Sequence, residues 1–209
     1  MRVILASTSP RRRELLALLG LPFEVQAPSF DERLLPGLPV ADLAVEFACG
    51  KARAVARLAP DAVVIGSDTL IEIDQEALGK PETIADARGM LRKLKGRRHR
   101  IHSAVAVCVS DRRFEETALS TVQVWMKPFS DADLEAYLAS GESIGKAGAY
   151  AIQGSGVRLI ERIAGDYTAA VGLPLSETAV LLEKCGLSVP TDLRHLYRSR
   201  PYANWSRFA

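Results

Sequence analysis

The sequence predicts a mixed α/β protein, with an elongated sheet and two lobes around a central cleft. Short apolar runs of strand length alternate with stretches whose apolar residues return every three or four positions, the pattern of layered α/β chains. The long strands expected over 101–109 and 117–126 are separated by a turn at Ser110-Asp111. So short a connection makes them antiparallel, and the sheet therefore mixed.

The elements follow in order. Residues 3–6 are an apolar run fit for a buried strand, followed by Ser7-Thr8-Ser9-Pro10-Arg11-Arg12-Arg13. Ser7 or Ser9 can cap a helix, and proline suits the first helical position. The reading is strand, tight turn, helix, with Gly20 at the C-terminal end. Arginines in a first helical turn oppose the helix dipole unless an anion faces them. The alternative is a solvated basic turn. A second strand is expected over 23–26, a loop with the acidic pair Asp31-Glu32 over 27–39, and a helix over 40–58. Residues 62–65 form a buried strand that ends at Gly66-Ser67-Asp68-Thr69, and strand character resumes over 70–73. Gly79-Lys80-Pro81 closes this unit in a loop. Helices are expected over 84–94 and over 130–139, the latter capped by Ser130, and a last clear one over 175–185. A strand is expected over 157–163. The glycine-punctuated stretch 141–156 is too polar for a simple core element. Domain organisation follows as one domain of two lobes over 1–186 and a C-terminal tail over 187–209, on the surface or partly mobile.

The chain has 209 residues, 48% of them hydrophobic and 25% charged, and a net charge of +2. Nothing global calls for nucleic acid or a membrane, so any anion chemistry must be local. The basic run Gly96-Arg97-Arg98-His99-Arg100 reads as a solvated face, and His99, His102 and His195 as surface or structural residues. Three widely spaced cysteines, Cys49, Cys108 and Cys185, match neither a disulfide framework nor a zinc pattern and are expected as small buried hydrophobes. No signal peptide is evident, and no run approaches the ~18 apolar residues of a membrane span. A cytoplasmic protein is expected.

Candidate chemistry gathers at strand ends and in loops. Asp68 at the end of an apolar strand is costly unless used or paired. It could orient a water, bind a divalent metal, or cap the next turn. Asp31-Glu32 suits magnesium, although a solvated acidic loop is the plainer reading of this pair. Lys51, alone on a helix, reads as solvated, whereas Lys80 in its short rigid loop suits phosphate. The stretch from Lys146 to Gly154 permits close backbone approach, and Gln153 offers a donor and an acceptor for a base edge.

These residues resemble a known family. Leu5-Ala6-Ser7-Thr8-Ser9-Pro10-Arg11-Arg12, Ile65-Gly66-Ser67-Asp68-Thr69, Leu78-Gly79-Lys80-Pro81, Lys146-Ala147-Gly148-Ala149-Tyr150-Ala151-Ile152-Gln153-Gly154, Gly165-Asp166-Tyr167 and Val171-Gly172-Leu173-Pro174 look like the Maf nucleoside triphosphate pyrophosphatases, in the family's order. The resemblance implies a fold similar to inosine triphosphate pyrophosphatases, often dimeric. It implies cleavage of a nucleoside triphosphate to monophosphate and pyrophosphate with a divalent cation, Mg2+ or Mn2+. It makes Asp68 the proton acceptor, with a cation-activated water as the alternative. Ser7, Ser9, Arg11, Arg12, Lys51 and Lys80 become phosphate contacts, and Glu32 and Asp68 metal ligands. Arg11, Thr69 and Gln153 match the branch acting on dTTP and UTP, and modified pyrimidine nucleotides come within its scope. The branch acting on 7-methyl-GTP carries an aromatic, a glutamine and an acidic residue there. Ala151 stands where the family commonly has glycine, and the tail has no family counterpart. A non-catalytic nucleotide-binding regulator of cell division is the alternative from a different class.

Overall fold

The structure, a computed structural model, describes residues 1–33 and 37–208. Residues 34–36 of the predicted loop and Ala209 of the predicted tail lie outside the described residues. The elements are β1 (Val3–Ala6), α1 (Pro10–Ala17), β2 (Glu24–Val25), α2 (Val40–Ala56), β3 (Val63–Ile73), β4 (Glu76–Leu78), α3 (Ile84–Leu94), β5 (Arg98–Val109), β6 (Phe114–Met126), α4 (Asp131–Ala139), β7 (Ile160–Ala164), α5 (Tyr167–Val171), α6 (Leu175–Lys184) and α7 (Leu193–Ser199). Among the described residues they form a mixed sheet of seven strands, ordered β2-β1-β3-β5-β6-β7, with β4 beside β3. β1 runs parallel to β2 and β3, and the other pairs are antiparallel.

Side chains alternate across β3, and each set enters its own core. Val64 and Leu70 pack with Ile4, Ala6 and the apolar stripe of α2. Val63, Ile65, Ile71 and Ile73 face the larger core formed with α1, α3, α4 and α6. The helix caps follow the sequence. Ser9 accepts from Arg12 N (3.5 Å) with Pro10 at the first helical position, and Thr83 and Ser130 complete capping boxes with Asp86 and Asp133. All three cysteines are free and buried. Among the described residues no helix is long and apolar enough to cross a membrane.

Several expectations are corrected. Gly66-Ser67-Asp68-Thr69 does not end a strand. β3 runs unbroken through it because β5 pairs with every residue from Val64 to Glu72. Asp68 therefore caps no turn. The strand expected at 157 starts at Ile160, after a 3-10 turn over Ser155–Leu159. Short α5, β4 and α7 lack the length for a periodic signal. Of the surface and structural roles left open for His99 and His102, the structural one holds, at 2% and 4% exposed. His102 lies between Glu72 Oε2 (2.6 Å) and Thr121 Oγ1 (3.0 Å), and His99 Nε2 contacts Tyr150 Oη at 2.6 Å. The final stretch is not merely a surface appendage, because Leu196 and Trp205 enter the larger core.

One close approach sets the position of α2. A Cβ on Gly66 would lie 2.2 Å from the Ala48 carbonyl oxygen and 2.7 Å from Ala52 N. Glycine facing small residues lets the helix lie directly on the strand. Gly66→Ala is expected to lower unfolding free energy by about 2–3 kcal/mol through overpacking. Urea denaturation measures it, and an unchanged midpoint would show that α2 can shift freely.

Burial pushes His99 down to about 4, so the folded protein keeps it neutral. Between that value and the unfolded pKa of about 6.5 the unfolded chain binds the proton and the folded one does not. Stability is therefore present above pH ~6.5 and is lost as pH falls toward 4, by about 3 kcal/mol at most. Thermal unfolding across this window is expected to follow that slope, and His99→Phe to flatten it. Equal slopes in both proteins would assign the acid sensitivity elsewhere.

Candidate active site

The centre of the site is a gap in the sheet. β1 pairs with β3 as far as Gly66, and β4 joins from Ile71. Between them, residues 67–70 have a strand neighbour only on the β5 side. The turn that leaves β1, with Ser7 and Ser9, lies beside this gap.

Asp68 points to the α2 side and is 3% exposed. Its Oδ1 accepts a short hydrogen bond from Lys51 Nζ, itself 6% exposed, which also pairs with Glu32 Oε1 at 2.7 Å. The reading of Lys51 as solvated is thus overturned. α2 lies so close to β3 that the face carrying Ala48 and Ala52 carries Lys51 onto Asp68. Glu32 is likewise not a free acidic loop residue, since Lys51 and Lys80 (3.6 Å) both pair with it. Burial acts to raise the Glu32 pKa, but the Lys51 hydrogen bond and the charges of Lys51, Lys80 and Arg12 outweigh it and hold the group below its usual range. Asp31 turns away and pairs with Arg33 at 2.6 Å.

The second cluster is built on one carbonyl. Gly172 ends α5 with φ +131°, a left-side conformation that favours glycine. Its oxygen accepts from Arg12 Nε (3.0 Å), Ser67 Oγ (3.2 Å) and Thr69 Oγ1 (3.4 Å). Arg12 also donates to Ser7 Oγ (3.4 Å) and Thr69 Oγ1 (3.3 Å), and its NH2 lies 3.9 Å from Asp68. The protein itself therefore supplies part of the negative charge that these arginines require. Burial lowers the Arg11 and Arg12 pKa values from the usual arginine range. Arg12 adds to the lowering at Arg11, whereas Asp68 and Glu32 oppose it at Arg12.

Both clusters open into a cleft of about 660 Å³, a volume suited to a small-molecule ligand. Its wall includes Ser7, Ser9, Arg11, Arg12, Lys51, Lys80, Glu32, Asp68, Thr69 and Gln153, so the candidates from the sequence other than Asp31 meet in one place. The same wall carries Ile144, Tyr150, Ile152 and Gln153. Sequence reasoning gave no role to Lys146, Phe30 or Gly172, which also line the cleft. Gly172, following a short helical stretch, carries a C-cap signal. The ring of Phe30 fills the space that a Cβ on Gly50 would occupy, a long-range fit with no local signal. Burial lowers the Lys146 pKa, and the nearby Arg11 charge adds to this.

The donor set suits a hard divalent cation. Asp68 Oδ2 is buried without a hydrogen-bond partner among the described residues, and Asp68 and Glu32 converge on the same ammonium group. No group of three or more His, Cys, Asp and Glu side chains suitable for a metal occurs among the described residues. A cation here would take at most these two carboxylates, which suits Mg2+ completing its shell with water and phosphate oxygens.

Known proteins match this chain over most of its length. It is 46% identical over 193 residues to a dTTP/UTP pyrophosphatase of Anaeromyxobacter dehalogenans, covering 91% of this chain and 97% of that one. A dTTP/UTP pyrophosphatase of Vibrio cholerae is 46% identical over 184 residues (88% and 97%), and one of Moorella thermoacetica 45% over 188 (90% and 97%). The structure of the Staphylococcus aureus Ham1 protein aligns with a TM-score of 0.47 at 15% identity, covering 96% of this chain and 97% of that one. The family model described as Maf-like protein matches residues 2–185, which include the Asp68–Lys51 pair, the Arg12–Gly172 clasp and the Gln153 wall; this chain belongs to that family.

Proposed function

We propose that the protein is a nucleoside triphosphate pyrophosphatase that hydrolyses dTTP and UTP to the monophosphate and pyrophosphate. The observation that carries this is the make-up of one cleft wall. It combines a buried carboxylate with an oxygen lacking a hydrogen-bond partner, the cations Arg11, Arg12, Lys51 and Lys80, and a neutral amide, Gln153, with Ile144, Tyr150 and Ile152. A triphosphate suits the cations and an uncharged pyrimidine edge the amide. The relatives at 45–46% identity act in the same sense by name. Modified pyrimidine triphosphates fall within the same chemistry.

Asp68 Oδ2 takes the proton from the water that attacks the α-phosphorus. Lys51 on Oδ1 fixes the carboxylate and leaves Oδ2 without a hydrogen-bond partner. The α–β anhydride bond breaks as the new P–O bond forms, and pyrophosphate leaves. Arg11, Lys80 and the hydroxyls of Ser7 and Ser9 bind the phosphate oxygens, and Arg12, already clasped to Gly172, presents its remaining edge to them. These fixed donors stabilise the charge that spreads over the phosphates. Glu32 and Asp68 would hold Mg2+ or Mn2+, whose charge offsets that of the phosphates. Arg11, Thr69 and Gln153 select the base. Thr69 does so indirectly, its hydroxyl being engaged with Arg12, Ser103 and Gly172.

A nucleotide panel followed by chromatography tests this. Pyrophosphate release from dTTP and UTP is expected in the presence of Mg2+. Cleavage of 7-methyl-GTP in their place would overturn the base assignment, and nucleotide binding without turnover would make the protein a regulator. Asp68→Asn is expected to lower kcat by about 100-fold or more while keeping a cooperative unfolding transition. Wild-type turnover in that variant would remove Asp68 from the chemistry. Gln153→Glu is expected to lower kcat/KM for dTTP and UTP by about tenfold, because a carboxylate cannot donate to a carbonyl of the base. The loss is expected to be smaller for the positively charged 7-methylguanine base, and an equal loss on all substrates would show that Gln153 does not read the base.

A further inference from the structure

The chain beyond residue 185 lies outside the matched family region, yet it is anchored to the cleft wall. Trp205 is 4% exposed. Its ring stacks on Tyr167 (5.2 Å between centroids, 15° between planes) and meets Tyr197 edge-on (5.2 Å, 83°). Tyr197 Oη donates to Asp166 Oδ2 at 2.9 Å, beside the start of α5. These contacts fix the residue before Trp205. Asn204 Nδ2 donates to the carbonyl oxygen of Ile152 at 2.9 Å. Ile152 immediately precedes Gln153, and on the other side Ser155 N donates to the Glu142 carboxylate (2.8 and 3.2 Å). The short loop bearing Gln153 is therefore held at both ends. One hold comes from its own domain and the other from the C-terminal segment.

We infer that Asn204 is a positioning residue that sets base selectivity by holding the Ile152 carbonyl and, through it, the placement of Gln153. It does not line the cleft. A loop free to swing at Ile152 presents the Gln153 amide in several orientations, and the hydrogen bonds that distinguish one base from another weaken. The inference rests on the proposed reading of the base by Gln153.

The test uses the full chain with Asn204→Ala. The ratio of kcat/KM for dTTP to that for dGTP is expected to fall about fivefold, the value of one neutral hydrogen bond. The loss for dTTP is expected in KM, with kcat retained. Because Asn204 acts through Gln153, Gln153→Ala and the double variant with Asn204→Ala are expected to show the same ratio. A tail that only stabilises the fold would lower the melting temperature and the rates on both nucleotides together, leaving the ratio unchanged. An unchanged ratio, or additive losses in the double variant, would overturn the inference. Should the unaltered protein cleave no triphosphate, the proposed function fails by itself. Amide hydrogen exchange at residues 153–155 then decides this inference: faster exchange in Asn204→Ala supports it, and unchanged exchange overturns it.

Discussion

The contact between Lys51 and Asp68 is the one on which the rest of the site depends. Two charges taken this far from water are tolerated only when each satisfies the other. Here the pairing is enforced from a distance by Gly66, where the absence of a side chain lets α2 lie on β3. The result is a carboxylate held by one oxygen and free at the other, at the bottom of a cleft. Replacing the pair with apolar residues would suit the fold at least as well. A charged pair kept in such a place, beside a gap in the sheet, supports the proposed reading of the site.

The gap itself is a matter of strand lengths. β1 is too short to cover β3, and β4 pairs only with its far end. Backbone left without a strand neighbour must find other partners. Beside it, the hydroxyls of Ser67 and Thr69 reach across to the Gly172 carbonyl, as does Arg12. One oxygen thus ties the start of α1, the middle of β3 and the end of α5 together. Arg12 belongs to the scaffold as much as to the ligand surface, while Arg11 beside it faces the cleft with fewer fixed partners. The C-terminal segment extends the same scaffold to the cleft wall at Ile152, through Tyr197 on Asp166 and Asn204 on Ile152.

Much of this was legible in the sequence. The α1 turn, the helix over 84–94, the Ser130 cap and the long hairpin carry local signals, and the structure has each of them. The site candidates were legible mainly because separate short motifs resemble those of one family, and they do converge on one cleft. The environments of those residues were not legible. Lys51 read as a surface lysine because nothing in its helix neighbours announces Asp68. The reading of His99 and His102 stayed open between surface and structural roles because their arginine neighbours are exposed; alternation along β5 turns His99 away from Arg98 and Arg100, whereas His102 shares their face and is buried by its pairing with Glu72 and Thr121. The C-terminal segment read as an appendage because its few aromatics have no periodicity, and their partners Tyr167 and Asp166 lie far back in the chain.

The sequence by itself determined the fold class, most helix boundaries, the fates of the cysteines as buried thiols and the set of residues to suspect. The first three depend on capping, on side-chain period and on composition, all of which are local, and the last on short motifs that resemble those of one family. Only the tertiary structure decided that β3 continues through Gly66-Ser67-Asp68-Thr69, that the sheet opens there, and that Lys51 and Asp68 meet. A glycine followed by polar residues ends a strand when nothing pairs with it. Here β5 supplies the hydrogen bonds from more than thirty residues away, and long-range pairing overrides the local signal.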